Sequence, residues 1–199
     1  MTKAARWATL GTLLLAACAS TVPATQRPSR TAVAASPVPG LSATALPGYV
    51  LHASTLDAPS LSADALDGSA LEELLGGAGF QTGTERRFTA RHRPLTEVVA
   101  RVLRFTSADG AQTYVSWLGD HGADLMGSLT RVAEAPDLPD AVAFTHGISG
   151  CCTKDTFGYF VAWTRGSYAI TLQVGGPAAG ARSAAPLAHE LDTRVSKEV

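Results

Sequence analysis

The chain has three cysteines, Cys18, Cys151 and Cys152, and the last two are adjacent. In an oxidising compartment two thiols tend to pair. Neighbouring Cα atoms lie about 3.8 Å apart across a trans peptide, short of the roughly 4.4–6.8 Å usual for a disulfide. A bridge between Cys151 and Cys152 is therefore strained and more easily reduced than an ordinary one. Two readings stay open: a redox-responsive or ligand-contacting loop at 147–156, and, favoured here, a structural bridge or two reduced thiols.

His146 precedes the pair and Asp155 follows it. A zinc site needs a closed tetrahedral ligand set, commonly with two-residue spacings, and one histidine beside two adjacent cysteines does not supply it. No metal and no cofactor is expected. Ser149, in Gly147-Ile148-Ser149-Gly150, falls one residue short of a Gly-x-Ser-x-Gly elbow. Gly76-Gly77-Ala78-Gly79 follows a helical pattern instead of joining a strand to a helix, so it does not match a phosphate-binding loop. No residue is assigned a catalytic role, and the chain is expected not to be an enzyme.

Charge gives the stronger signal. Arg86, Arg87, Arg91, Arg93, Arg101 and Arg104 fall over one predicted hairpin, against only Glu85 and Glu97. Arginine pairs well with phosphate and carboxylate. Arg86, Arg87, Arg91 and Arg93 are therefore candidate anion-binding residues for an acidic envelope polymer, a lipid headgroup or a protein partner. The alternative is a solvated hairpin whose arginines pair with acids on neighbouring helices.

The start of the chain says where such a site would work. Lys3 and Arg6 precede an uncharged apolar run at 7–17, too short for a spanning helix, which needs about 20 residues. This is the layout of an export signal. Removing it takes the formal net charge from −1 to −3, which does not support nucleic acid as a partner. Leu15-Ala16-Ala17-Cys18 resembles the bacterial lipobox. The resemblance implies cleavage before Cys18, diacylglyceryl attachment to its thiol, and a membrane anchor on the extracytoplasmic face of the cell membrane.

Three parts are expected: a signal peptide at 1–17, a lipidated Cys18 with a disordered Pro/Ser/Thr/Ala-rich tether at 18–47, and a single domain at 48–199. The tether holds five of the eleven prolines and few large apolar residues, too few to offset the entropy of ordering it. In the domain, helical periodicity runs from Leu61 to Leu75, with Ser60 or Ser62 as cap and Gly76-Gly77 as terminator. Residues 80–89 alternate as a strand. Residues 95–106 are apolar on both faces, as in a central strand covered twice. Ser107-Ala108-Asp109 opens a helix bracketed at its end by Gly119 and Gly122. Short strands follow at 141–145, 157–164 and 167–174, with Arg165-Gly166 as a two-residue turn. A final helix, capped by Ser183, buries Leu187, Ala188, Leu191 and Val195.

The order α-ββ-α-βββ-α predicts an α+β domain, an antiparallel sheet of about five strands packed by three helices. Gly79-Phe80, the passage from Val99 to Tyr114, and Trp163-Thr164-Arg165-Gly166 are similar in layout to small exported lipoprotein domains, some PsbP-like in fold. That likeness transfers no site. The expected function is a membrane-anchored, non-catalytic binding or sensing module; the alternative is an envelope hydrolase or thiol-redox protein using 147–156.

Overall fold

The stretch that is apolar on both faces sets the architecture, because both faces have to be covered. A computed structural model of the chain describes residues 38–63, 65, 67–126, 131–147 and 157–199. Its elements are β1 (Val50–Leu56), α1 (Ala58–Ala63), α2 (Gly68–Gly77), β2 (Phe80–Thr89), β3 (Glu97–Phe105), α3 (Ala108–Met126), β4 (Arg131–Val132), β5 (Val142–Gly147), β6 (Phe157–Arg165), β7 (Tyr168–Gly176) and α4 (Ala181–Val195). The fold class is α+β, with one antiparallel sheet in the order β1-β2-β3-β7-β6-β5-β4.

Strand alternation splits the core into two layers. Val98, Ala100 and Val102 of β3 join Ile170 and Leu172 of β7 and Trp163 of β6 beneath α4. Leu187, Ala188, Leu191 and Val195 supply that helix's apolar stripe, at the spacing of one helical face. On the opposite face, Leu103, Phe105, Ala162 and Ala169 meet Leu71 and Leu75 of α2 and Val115 and Leu118 of α3. The double coverage read from residues 95–106 is what the structure has.

A buried polar knot fastens α4. Asp192 accepts from Trp163 Nε1 at 3.0 Å, and Arg165 reaches both its oxygens, Nε at 2.6 Å and Nη2 at 2.8 Å. Burial alone would raise the Asp192 pKa; the hydrogen bonds from Arg165 and Trp163 outweigh it and hold the carboxyl below its ordinary value.

Several expectations are corrected. Among the described residues the sheet has six strands of six or more residues plus the two-residue β4, against about five expected, and there are four helices against the three expected. The helix expected over Leu61 to Leu75 is two. Around Gly68 the chain turns so tightly that a Cβ there would strike the Ser62 carbonyl oxygen. Asp57 caps α1 through Ser60 N at 2.9 Å, and Asp67 caps α2 through Ala70 N at 3.1 Å. Gly76 and Gly77 lie inside α2, and the left-handed residue after it is Gly79, at φ +74°. Helix α3 runs past Gly119 and Gly122, because these glycines let Val142 and Phe144 of β5 press against it. The turn between β6 and β7 is Gly166-Ser167, one residue later than expected, with Arg165 and Tyr168 paired across it. Ser183 sits in the first turn of α4, where its Oγ accepts from Gly180 N at 3.1 Å.

Residues 38–47, read as the end of the tether, belong to the described fold. Leu41 is fully buried and Val38 nearly so, both in the layer under α4. Thr84 Oγ1 donates to Pro39 O at 3.2 Å, Arg86 Nη1 donates to Leu41 O, and Ser42 N donates to Glu190 Oε1 at 3.2 Å. Two apolar anchors and three hydrogen bonds order a segment whose composition reads as disordered.

Candidate functional site

Alternation along β2 divides the candidate anion-binding residues. Arg86 shares a face with Phe88, on the α4 side, where it holds residue 41. Arg87 projects from the other face, and its Nη1 meets Glu97 Oε1 at 2.9 Å while its Nε meets Glu85 Oε1 at 3.3 Å. Arg91 and Arg93 stand exposed at the hairpin tip, beside Gly48 and Val50. The four arginines therefore form no single surface. The acids that pair with Arg87 and Arg101 are Glu85 and Glu97 of the hairpin itself, not acids on neighbouring helices.

Cys18, Cys151 and Cys152 lie outside the described residues, as do Ser149 and Asp155. His146 is described. Its ring covers Gly158, where a Cβ would collide with it, and its buried Nε2 has no hydrogen-bond partner among the described residues. Burial lowers the His146 pKa. Among the described residues no three His, Cys, Asp or Glu side chains gather as metal ligands.

The structure brings together a different set. Glu85, Arg101 and Thr171 are register partners across β2, β3 and β7, on the face opposite α4. Two residues along β7 from Thr171, on the same face, Gln173 pairs with Phe160 of β6. Helices α1 and α2 wall one side of this patch with Leu61 and Leu71, and α3 walls the other with Tyr114, Trp117 and Leu118. Between them is a cleft of about 200 Å³ with a polar floor and apolar sides.

The electrostatics of that floor follow from one ion pair. Glu85 Oε2 accepts from Arg101 Nε at 2.7 Å. Burial would raise the Glu85 pKa, but the hydrogen bond and charge of Arg101, with the charge of Arg87, bring it below its ordinary value. The floor therefore carries a fixed, already compensated cation. Tyr114 is 5% exposed, and burial pushes its hydroxyl up to about 12, partly offset by the Arg101 charge, so it is a neutral donor. Trp117 stacks on His121 with ring centroids 4.6 Å apart, and His121 Nδ1 lies 3.0 Å from Trp117 O, so the indole is braced along its own helix. These groups can hold a ligand by hydrogen bonds and apolar contact.

None of the cleft's polar residues stood out as a site in the sequence. One signal was present: Arg101 interrupts the apolar run of Val99, Leu103 and Phe105 on one face of β3, and Thr171 and Gln173 fall on the more polar parity of β7. Nothing in the spacing shows that these residues meet.

No family model matches the chain, and no curated protein does. Among solved structures, the fold is similar to that of the extracellular domain of PknH from Mycobacterium tuberculosis, with a TM-score of 0.51 and 12% sequence identity. The match covers 75% of this chain and 82% of that one. At this identity the likeness is one of fold. Among the described residues no helix is long and apolar enough to cross a membrane.

Proposed function

We propose that this chain is an exported, non-catalytic binding or sensing module, held at the extracytoplasmic face of the cell membrane by a lipid on Cys18. The observation that carries the binding role is the cleft over Arg101, where apolar walls from three helices close on a hydrogen-bonding floor. Its chemistry is that of a receptor. Among the described residues, the lining pairs no nucleophile with a base; it offers a compensated cation, a neutral phenol, a hydroxyl and an amide. Ligand sites commonly combine apolar walls with a few convergent polar groups. The export signal and lipobox support the location, and the PknH domain that shares the fold is itself extracellular.

A screen of small fragments by two-dimensional NMR, on the complete chain carrying Cys18→Ala, tests the binding role. Binders are expected to shift the Trp117 indole and the Thr171 and Gln173 amides. A varied fragment set that leaves those signals unmoved would remove the cleft as a ligand site. The same Cys18→Ala change is expected to release the protein from membranes or leave it unprocessed. Normal mature size with full membrane retention would overturn the lipid anchor.

A further inference from the structure

We infer that the cleft takes a small, singly charged amphiphile, with a carboxylate head on Arg101, Tyr114 and Thr171 and an apolar body between Trp117, Phe160 and Leu71. This deepens the binding role proposed above and rests on it.

The head follows from the floor. Tyr114 is 5% and Thr171 4% exposed, yet neither hydroxyl has a hydrogen-bond partner among the described residues. Both residues line the cleft, so their hydroxyls can donate to a ligand there. Two such groups facing one cleft lined by a guanidinium define a place for an acceptor. Among the described residues, Arg101 makes its hydrogen bond through Nε alone, to Glu85, so most of its five donors are left for a second acceptor. Tyr114 and Thr171 each add a donor. This donor set matches the two oxygens of a carboxylate.

The charge follows from the pair beneath. Among the described residues, Arg101 is the single charged residue lining the cleft, and Glu85 already lies against it. The donors Arg101 has left can take one carboxylate, whose charge then adds to that of Glu85. A phosphate monoester, with nearly two, would meet Glu85 without a second lining cation to offset it. A neutral amide would fit the volume but lose the charge-assisted bonds, which are about twice as strong as neutral ones.

The body follows from the walls and the size. At about 200 Å³ the cleft is smaller than sites for drug-sized ligands. It is somewhat larger than the cavity of about 150 Å³ that admits benzene, so the whole ligand has on the order of ten non-hydrogen atoms. Trp117, braced by His121, gives a flat apolar platform, and Phe160 and Leu71 face the same space.

The test uses 3-phenylpropanoate and its neutral counterpart 3-phenylpropanamide as probes, titrated into the complete Cys18→Ala chain and followed by NMR. The acid is expected to bind about tenfold or more tightly than the amide, with shifts at Trp117, Tyr114 and Thr171. Tyr114→Phe and Thr171→Val each remove one oxygen without changing shape greatly, and each is expected to weaken the acid several-fold. The double variant Glu85→Gln/Arg101→Gln removes the ion pair as a unit, and the preference for acid over amide should disappear. Equal affinity for acid and amide would overturn the anionic head while leaving the cleft as a binding site. An acid that shifts no cleft signal while unrelated fragments do would likewise overturn this ligand class alone. Silence of the cleft toward every compound would overturn the binding role with it.

Discussion

Glu85 and Arg101 face each other as register partners on β2 and β3, and the carboxylate of one accepts from Nε of the other at 2.7 Å. Arg87 meets the second oxygen of the same carboxylate. One acid thus serves two cations, and its removal leaves Arg101 without its acid and Arg87 with Glu97 alone. Glu85→Leu should lower stability by about 2 kcal/mol, read as a lower urea midpoint at unchanged slope. Arg87→Ala should cost less than about 1 kcal/mol, because Arg87 is 39% exposed where Glu85 is 13% exposed. Equal losses would show that the pair is not organised around Glu85.

Acid should weaken the fold in two stages. The His146 pKa is lowered from 6.5 by burial, so the unfolded state takes up its proton first and stability falls as pH drops from 6.5 toward the folded value. Glu85 and Asp192 are both lowered, from 4.5 and 3.8. Their contribution is full above those values and is lost as pH falls through the lower folded ones. Urea midpoints measured from pH 7 to pH 3 should show both declines, and His146→Gln should remove the upper one alone. An unchanged upper decline in that variant would assign it to another group.

Gly110 sets how closely the start of α3 approaches the end of α2. A Cβ at this position would run into the Ala78 carbonyl oxygen, which is backbone and cannot step aside. Gly110→Ala should cost about 2 kcal/mol and part the two walls of the cleft. At Gly119 the same change brings a Cβ only to 3.3 Å from Val142 Cγ1, a side-chain atom that must give by a few tenths of an ångström. Gly119→Ala should therefore be much milder. Thermal melts of the two variants make the comparison, and a Gly110→Ala protein as stable as the parent would contradict the close approach.

What the sequence makes legible is governed by burial. Residues 97–105, Ala111 to Leu118 and Leu187 to Val195 each bury an unbroken face, and their periodicity reads directly. Strand β1 was not expected because an edge strand need not alternate: of Val50–Leu56 only Leu56 is buried. Residues 38–47 hide their two anchors, Val38 and Leu41, in a composition that reads as tether. The cleft is the least legible part, since Arg101, Tyr114 and Thr171 come from β3, α3 and β7 and meet only through sheet register and helix packing. Local charge counts mislead for the same reason. Arg86 and Arg87 are neighbours in the chain and sit on opposite faces of the sheet.

At the hairpin tip, Arg91 and Arg93 are the exposed remainder of the arginine run. If the tip meets anionic headgroups, Arg91→Ala/Arg93→Ala should weaken binding of the Cys18→Ala chain to vesicles rich in anionic phospholipid by about tenfold or more, at about 1 kcal/mol per cation. Added salt should abolish the difference. Equal binding by parent and variant in a sedimentation assay would remove the hairpin as an anion-binding element.

The grip of residues 38–42 on the sheet has a mechanical consequence. Leu41, Arg86 and Glu190 fasten this segment on the side that α4 covers, and the cleft opens on the reverse side. If the proposed anchor pulls on the chain ahead of Val38, the pull meets the bonds to β2 and α4 first. Among the described residues, the hydrogen bonds from 39–42 to the sheet and α4 do not reach helices α1 to α3, which form the cleft walls. Under the proposed anchor the domain would be held from the side that α4 covers, with the cleft on the reverse face.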